Sequence, residues 1–180
     1  MARTVDTDVV VILIGKFQHL MTLCADLKIY VAFGTGKSFH YININAIYEK
    51  LGSEKALALP VFHSFTGCDT TSSFFGRGKK SACEAWNCYP QVTRAFTYMA
   101  LHPYTELDTY NENFKLLERF TVILYDKNCY FDSVNEARKE LFCHKSKSME
   151  KLPPTQDALL QHSKRASYQA GVWCTSEHSQ

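Results

Sequence analysis

Asp6-Thr7-Asp8, Gly67-Cys68-Asp69 and Phe75-Gly76-Arg77-Gly78-Lys79-Lys80-Ser81-Ala82 hold the residues best suited to chemistry in this 180-residue chain. Asp6 and Asp8 stand two apart before the apolar run Val9 to Ile14. In an extended strand, side chains two apart leave the backbone on one face, so both carboxylates would be placed to share a metal ion. Mg²⁺ or Mn²⁺ suits such oxygens, because hard cations take a few carboxylates and keep bound waters. Asp69 is the third acid of the set. The glycine-rich segment has the composition of a turn that opens a helix. Its glycines take backbone angles closed to other residues and let a phosphate come close, and the first helical amides attract an anion. Gly76, Arg77, Gly78, Lys79, Lys80 and Ser81 are therefore candidates for sequence-independent, salt-sensitive contact with a nucleic-acid backbone.

These residues need elements to position them. Val9 to Ile14 is uninterrupted aliphatic, the pattern of a central parallel strand covered on both faces. The acidic pair would then lie at one end of that strand, where open α/β sheets place their sites. Leu27 to Phe33 and Ser38 to Ile44 have strand character and read as a β-hairpin turned at Gly34 to Lys37. The same turn has the ending of a phosphate-binding loop, Gly36-Lys37-Ser38. The glycine required five positions earlier is Val31, however, and no helix follows, so a nucleotide-binding reading is set aside. Asn45 to Leu51 reads as a short helix ended by Gly52. Ser53 can cap the next, which runs toward Phe65 despite Pro60. A helix over Ala82 to Cys88 is broken by Tyr89-Pro90, and helices follow over Gln91 to Leu101, Asn113 to Tyr125 and Ser133 to Cys143. Pro153-Pro154 is a rigid break, Thr155 caps a helix over Gln156 to Ala170, and the tail after Gly171 is expected to fray. The fold class is thus α/β at the start and mainly α afterwards.

In order and spacing the motifs resemble those of flap endonucleases and XPG-type nucleases of the PIN-like superfamily. These carry an Asp-x-Asp strand, then Gly-x-Asp, then a helix-hairpin-helix of the form hydrophobic-x-Gly-x-Gly-x-x-x-Ala. Here the counterparts are Asp6 and Asp8, Asp69, and Phe74 through Ala82, with seven residues from Asp69 to Gly76. Asn43 to Gly52 is similar to the helix before the family's Gly-x-Asp. The likeness covers residues 5 to 90. It implies a partial PIN-like parallel sheet, metal-dependent hydrolysis of DNA phosphodiesters with Asp6, Asp8 and Asp69 as catalytic and metal-ligating residues, and a hairpin that grips the DNA backbone. The family's pattern begins earlier, with a first-strand Asp and a Glu-x-Glu helix. The chain corresponds to the C-terminal half, and the expectation is that it does not cleave alone. Leu152-Pro153-Pro154-Thr155, Arg165-Ala166, Tyr168-Gln169-Ala170 and Trp173, following Thr66 to Thr71, further resemble the C-terminal signature of many-copy animal proteins associated with mobile elements.

The resemblance divides the chain into a partial nuclease core (1–66), a helix-hairpin-helix region (67–101), a helical extension (102–171) and a tail (172–180). Composition fits a globular protein, with 46% hydrophobic and 13% aromatic residues. A net charge of +2 provides no global field toward nucleic acid, so attraction must be local, with Arg77, Lys79 and Lys80 as the leading cluster. Lys145, Lys147 and Lys151 read as a solvated loop, and Trp86 as helix packing. Leu159, Leu160, Ala166 and Ala170 read as the face that packs the last helix, with Lys164 and Arg165 solvated. Seven cysteines without a Cys-x-x-Cys spacing read as reduced thiols, and Cys83, Cys88 and His102 match no zinc spacing. The apolar run at Val9 is too short to cross a bilayer. A nuclear or cytoplasmic protein, neither secreted nor membrane-bound, is expected. Two functions follow as alternatives, an endonuclease-like domain that needs further strands, or a non-catalytic nucleic-acid-binding or scaffold remnant. The sequence fixes no oligomeric state.

Overall fold

The apolar run after Asp8 is helical, which corrects the expected strand. A computed structural model describes residues 2–143 and 148–175. The chain forms β1 (Ala2–Thr4), α1 (Thr7–Leu23), β2 (Tyr30–Phe33), β3 (His40–Asn43), α2 (Ile44–Leu51), α3 (Ser53–Phe65), α4 (Lys79–Cys88), α5 (Val92–Leu101), α6 (Glu112–Tyr125), α7 (Val134–Cys143) and α8 (Gln156–Thr175). Single 3-10 turns lie at Gly36–Ser38 and Met149–Lys151. The chain is mixed α/β and mostly helical.

Asp6 explains the start of α1. Its carboxylate accepts from the Asp8 amide at 2.8 Å and so satisfies one of the donors a helix leaves open at its N-terminus. From there Val10, Val11, Ile14 and Phe17 recur at helical spacing and are buried. That burial overrides the strand preference of a β-branched run. Gly15 lets α1 approach α3 closely, since a Cβ there would lie 2.5 Å from Cγ of Pro60.

The sheet has three strands in the order β1-β2-β3. β1 runs parallel to β2, with Ala2 opposite Val31, and α1 is the crossover between them. β2 and β3 are antiparallel, with Val31 opposite Ile42, and form the hairpin expected from the alternating pattern around Gly34 and Gly36. Val31 and Ile44 are fully buried and join Val10, Ile14, Phe17 and Ala56 in a small core between sheet and helices.

A larger core unites the later helices. Phe65, Phe96, Phe114, Phe120 and Leu117 are wholly buried, and Phe96 meets Phe62, Phe65, Trp86 and Phe120. α3 lies at the centre and packs against α1, α5 and α8. α8 presents Leu159, Ala166 and Ala170 to this core. It continues to Thr175, beyond the end expected at Ala170 and into the tail expected to fray after Gly171. Hydrogen bonds fix its place. Ser64 Oγ donates to the Ala166 carbonyl at 2.9 Å, and His162 Nε2 donates to the Phe65 carbonyl at 2.7 Å. Trp86 is a packing residue as expected, its ring tilted against Phe62 at 4.5 Å and its Nε1 donating to Thr93 Oγ1. Ser53 begins α3, but the capping position is Gly52, without a side-chain cap bond. Lys145 and Lys147 lie outside the described residues. Among the described residues no helix is long and apolar enough to cross a membrane.

Candidate nucleic-acid interface

The three acids sit at different kinds of position. Asp6 is exposed and holds the cap of α1. Asp8, in the first turn of α1, accepts a hydrogen bond from His63 Nε2 at 2.8 Å, with side-chain exposures of 21% for the acid and 11% for the imidazole. Burial, then the charge of Lys79, holds His63 below the ordinary histidine range, against the upward pull of the hydrogen bond and charge of Asp8 and the charge of Asp6. A neutral imidazole donating to a carboxylate therefore ties α1 to the end of α3. Asp69 is exposed on a tight turn where Cys68 and Thr71 exchange backbone hydrogen bonds of 3.1 and 3.3 Å. Among the described residues no three His, Cys, Asp or Glu side chains are grouped to hold a metal ion. With Asp6 engaged by the Asp8 amide and Asp8 by His63, these side chains as placed do not fit a shared Mg²⁺ or Mn²⁺.

The glycine corner is built by residues 66–78, between α3 and α4. Thr66 closes α3, its hydroxyl donating to the Phe62 carbonyl at 2.7 Å. Gly67 has φ +102, and a Cβ there would lie 2.7 Å from the Ser73 backbone, so only glycine fits. Phe74 anchors the loop between the rings of Phe65 and His162, at centroid distances of 5.3 and 5.0 Å. The Arg77 amide then donates to the Phe74 carbonyl at 3.0 Å, with Gly76 at φ +66 inside that turn. An added Cβ at Gly76 or at Gly78 would meet nothing within 4 Å. The surface above both glycines is open. α4 begins immediately, with Gly78 as cap and no side-chain hydrogen bond to its first amides. Ser81 Oγ donates back to the Gly78 carbonyl at 2.9 Å.

The cations of the corner divide. Arg77 turns inward, donating to the Tyr125 carbonyl at 2.9 Å with its guanidinium 5.1 Å from the Tyr125 ring centre. Lys79 also turns inward and donates to the His63 carbonyl and, at 2.7 Å, to Thr66 Oγ1, which sets a positive charge on the carbonyl end of α3. Burial lowers its pKa to about 8 against the opposing charges of Cys68, Asp8 and Cys83. Lys80 is exposed. Arg77 and Lys79 thus brace the turn, and Lys80 stands at its surface.

Cys68 lies within electrostatic reach of Lys79. Its thiol contacts the hydroxyls of Thr70 and Thr71 at 3.3 and 3.1 Å. Burial raises its pKa, but hydrogen bonds from those hydroxyls and backbone groups outweigh it and the net shift is downward. Neither this network nor His63 was foreseen, because a histidine inside an apolar helix and a cysteine in a turn carry no pattern of their own. Compared with protein-family models, with curated proteins and with solved structures, the chain matches none.

Proposed function

We propose that the chain is a non-catalytic nucleic-acid-binding module whose α3–α4 corner grips DNA by its phosphates. One observation carries this reading. No side chain caps the start of α4, a Cβ added at Gly76 or Gly78 would meet nothing within 4 Å, and exposed Lys80 lies in the first turn of the helix. Backbone amides at a helix start attract an anion, and the contact reads no base. Gly78 gives a clean test. Its φ of −83 and ψ of 175 are open to any residue and a Cβ there meets nothing within 4 Å, so Gly78→Val keeps the fold, at the roughly 1 kcal/mol that a branched apolar residue costs in place of a glycine cap. It does place a branched side chain where the phosphate would sit. Duplex DNA binding of that variant, read by fluorescence anisotropy, is expected to fall about tenfold, the equivalent of one charge-assisted hydrogen bond. Undiminished binding refutes the corner as the contact.

A relationship to PIN-like, flap endonuclease-like proteins is favoured by the β1–α1–β2 unit, which sets Asp6 and Asp8 just past the C-terminal end of a parallel strand. In that reading Mg²⁺ or Mn²⁺ would need Asp8 to leave His63 and Asp69 to join it, so catalysis is not assigned to the chain as it stands.

A further inference from the structure

Beyond the corner, three hollows adjoin through shared lining residues and together mark out a path between α8 and the glycine turn. The largest, about 710 Å³, lies between α8, the loop at 103–107 and the turn at Thr70-Thr71. Arg165 lines both this groove and a second hollow that runs past Ser72 and Phe74 to Phe75. Phe75 in turn lines a third, shared with Gly76, Arg77 and Lys151. The path therefore leads from the glycine turn to the exposed face of α8.

Its lining combines two features. Tyr104 and Tyr168, 62% and 61% exposed, meet edge to face at 6.1 Å on the large groove, and Phe75, 58% exposed, stands on the ridge nearer the corner. Lys164, Arg165, Arg77 and Lys151 line the path, against one acid, Glu106. On α8, Gln161, Lys164 or Arg165, and Tyr168 recur at one-turn spacing, so helical geometry itself aligns amide, cation and ring along the groove. Buried Leu107 and Ser167 supply the floor.

We infer that this path binds single-stranded nucleic acid, with bases stacked on Tyr168, Tyr104 and Phe75 and phosphates held by Lys164 and Arg165. Exposed rings joined by a positive groove are the means by which single strands are held without sequence preference, since every base offers a face to stack. The volume suits a nucleotide unit, as ligand pockets span about 300–1,000 Å³. The inference goes beyond duplex contact at α4 and does not depend on it.

The test is fluorescence anisotropy of the full chain with a labelled oligothymidylate of about 12 nucleotides, inside the ~4–16-nucleotide range of single-strand sites. The parent is expected to bind saturably. Tyr104→Ala with Tyr168→Ala is expected to weaken binding at least about tenfold, and Tyr168→Phe, which keeps the ring, to leave it within about twofold. Arg165→Glu is expected to weaken binding and flatten its salt dependence. Lys80→Glu is expected to weaken duplex binding alone, which separates failure at the corner from failure here. If the double tyrosine variant binds as tightly as the parent, the inference is overturned; if that variant does not fold, unchanged binding by Arg165→Glu overturns it equally. Absence of saturable oligonucleotide binding by the parent also overturns it and leaves the groove to a protein partner.

Discussion

Replacing Asp8 with alanine separates two roles by the sign of one number. As a helix-to-helix tie, Asp8 accepts a charge-assisted hydrogen bond from His63 at 2.8 Å. Such bonds contribute about 1.5–3 kcal/mol, and the partial exposure of both groups favours the lower end, about 1.5 kcal/mol. The carboxylate also sits in the first turn of α1, where a negative charge adds about 0.5 kcal/mol. The expected loss is about 2 kcal/mol. For a chain of this length each kcal/mol moves Tm by about 2–4 °C, so Asp8→Ala should melt about 4–8 °C lower. Asp8→Asn keeps an acceptor for His63 and should lose about half as much. The assay is thermal and urea unfolding followed by tryptophan fluorescence, for which buried Trp86 is a core reporter. If Asp8 were instead a metal ligand held near Asp6 without its ion, removing the charge would relieve repulsion and raise Tm. A Tm equal to or above the parent's refutes the tie.

Two further outcomes follow from the same packing. Gly67→Ala forces a side chain into the positive-φ region and against the Ser73 backbone, and should destabilise by about 2–4 kcal/mol in urea unfolding. Stability should decline as pH falls below 6.5, because His63 and His162 are both held below that ordinary value, mainly by burial, while the unfolded chain takes up their protons first. Well above 6.5 both states hold neutral imidazoles and this contribution is flat. His162→Gln keeps a donor for the Phe65 carbonyl and should lessen the acid slope in a series of urea midpoints, whereas an unchanged slope removes His162 from the explanation.

The hairpin was legible because strand-like residues flank Gly34 and Gly36, and the chain pairs there as expected. Helix limits after α2 were legible through Gly52, the Tyr89-Pro90 break and Thr155, whose hydroxyl accepts from the Ala158 amide. The start of the chain was misread. Six consecutive aliphatics look extended, but the residues buried at 10, 11, 14 and 17 follow a helical period behind an Asp6 cap, a signal present in the sequence and outweighed by composition. At the corner, the glycines that need open or positive-φ positions could be picked out, but the directions of Arg77 and Lys79 could not. Their acceptors, the Tyr125 and His63 carbonyls, lie 48 and 16 residues away and are brought near only by tertiary folding. The Asp8–His63 pair, 55 residues apart, was hidden for the same reason.

The central claim is that the opening of α4 holds DNA by its phosphates, and the salt dependence of duplex binding tests it most directly. Affinities for two unrelated duplexes, measured between about 50 and 200 mM salt, should fall linearly on logarithmic axes with equal slopes, and Lys80→Ala should reduce that slope by about one. Binding that differs strongly between the two sequences, or a slope that Lys80→Ala leaves unchanged, would contradict it.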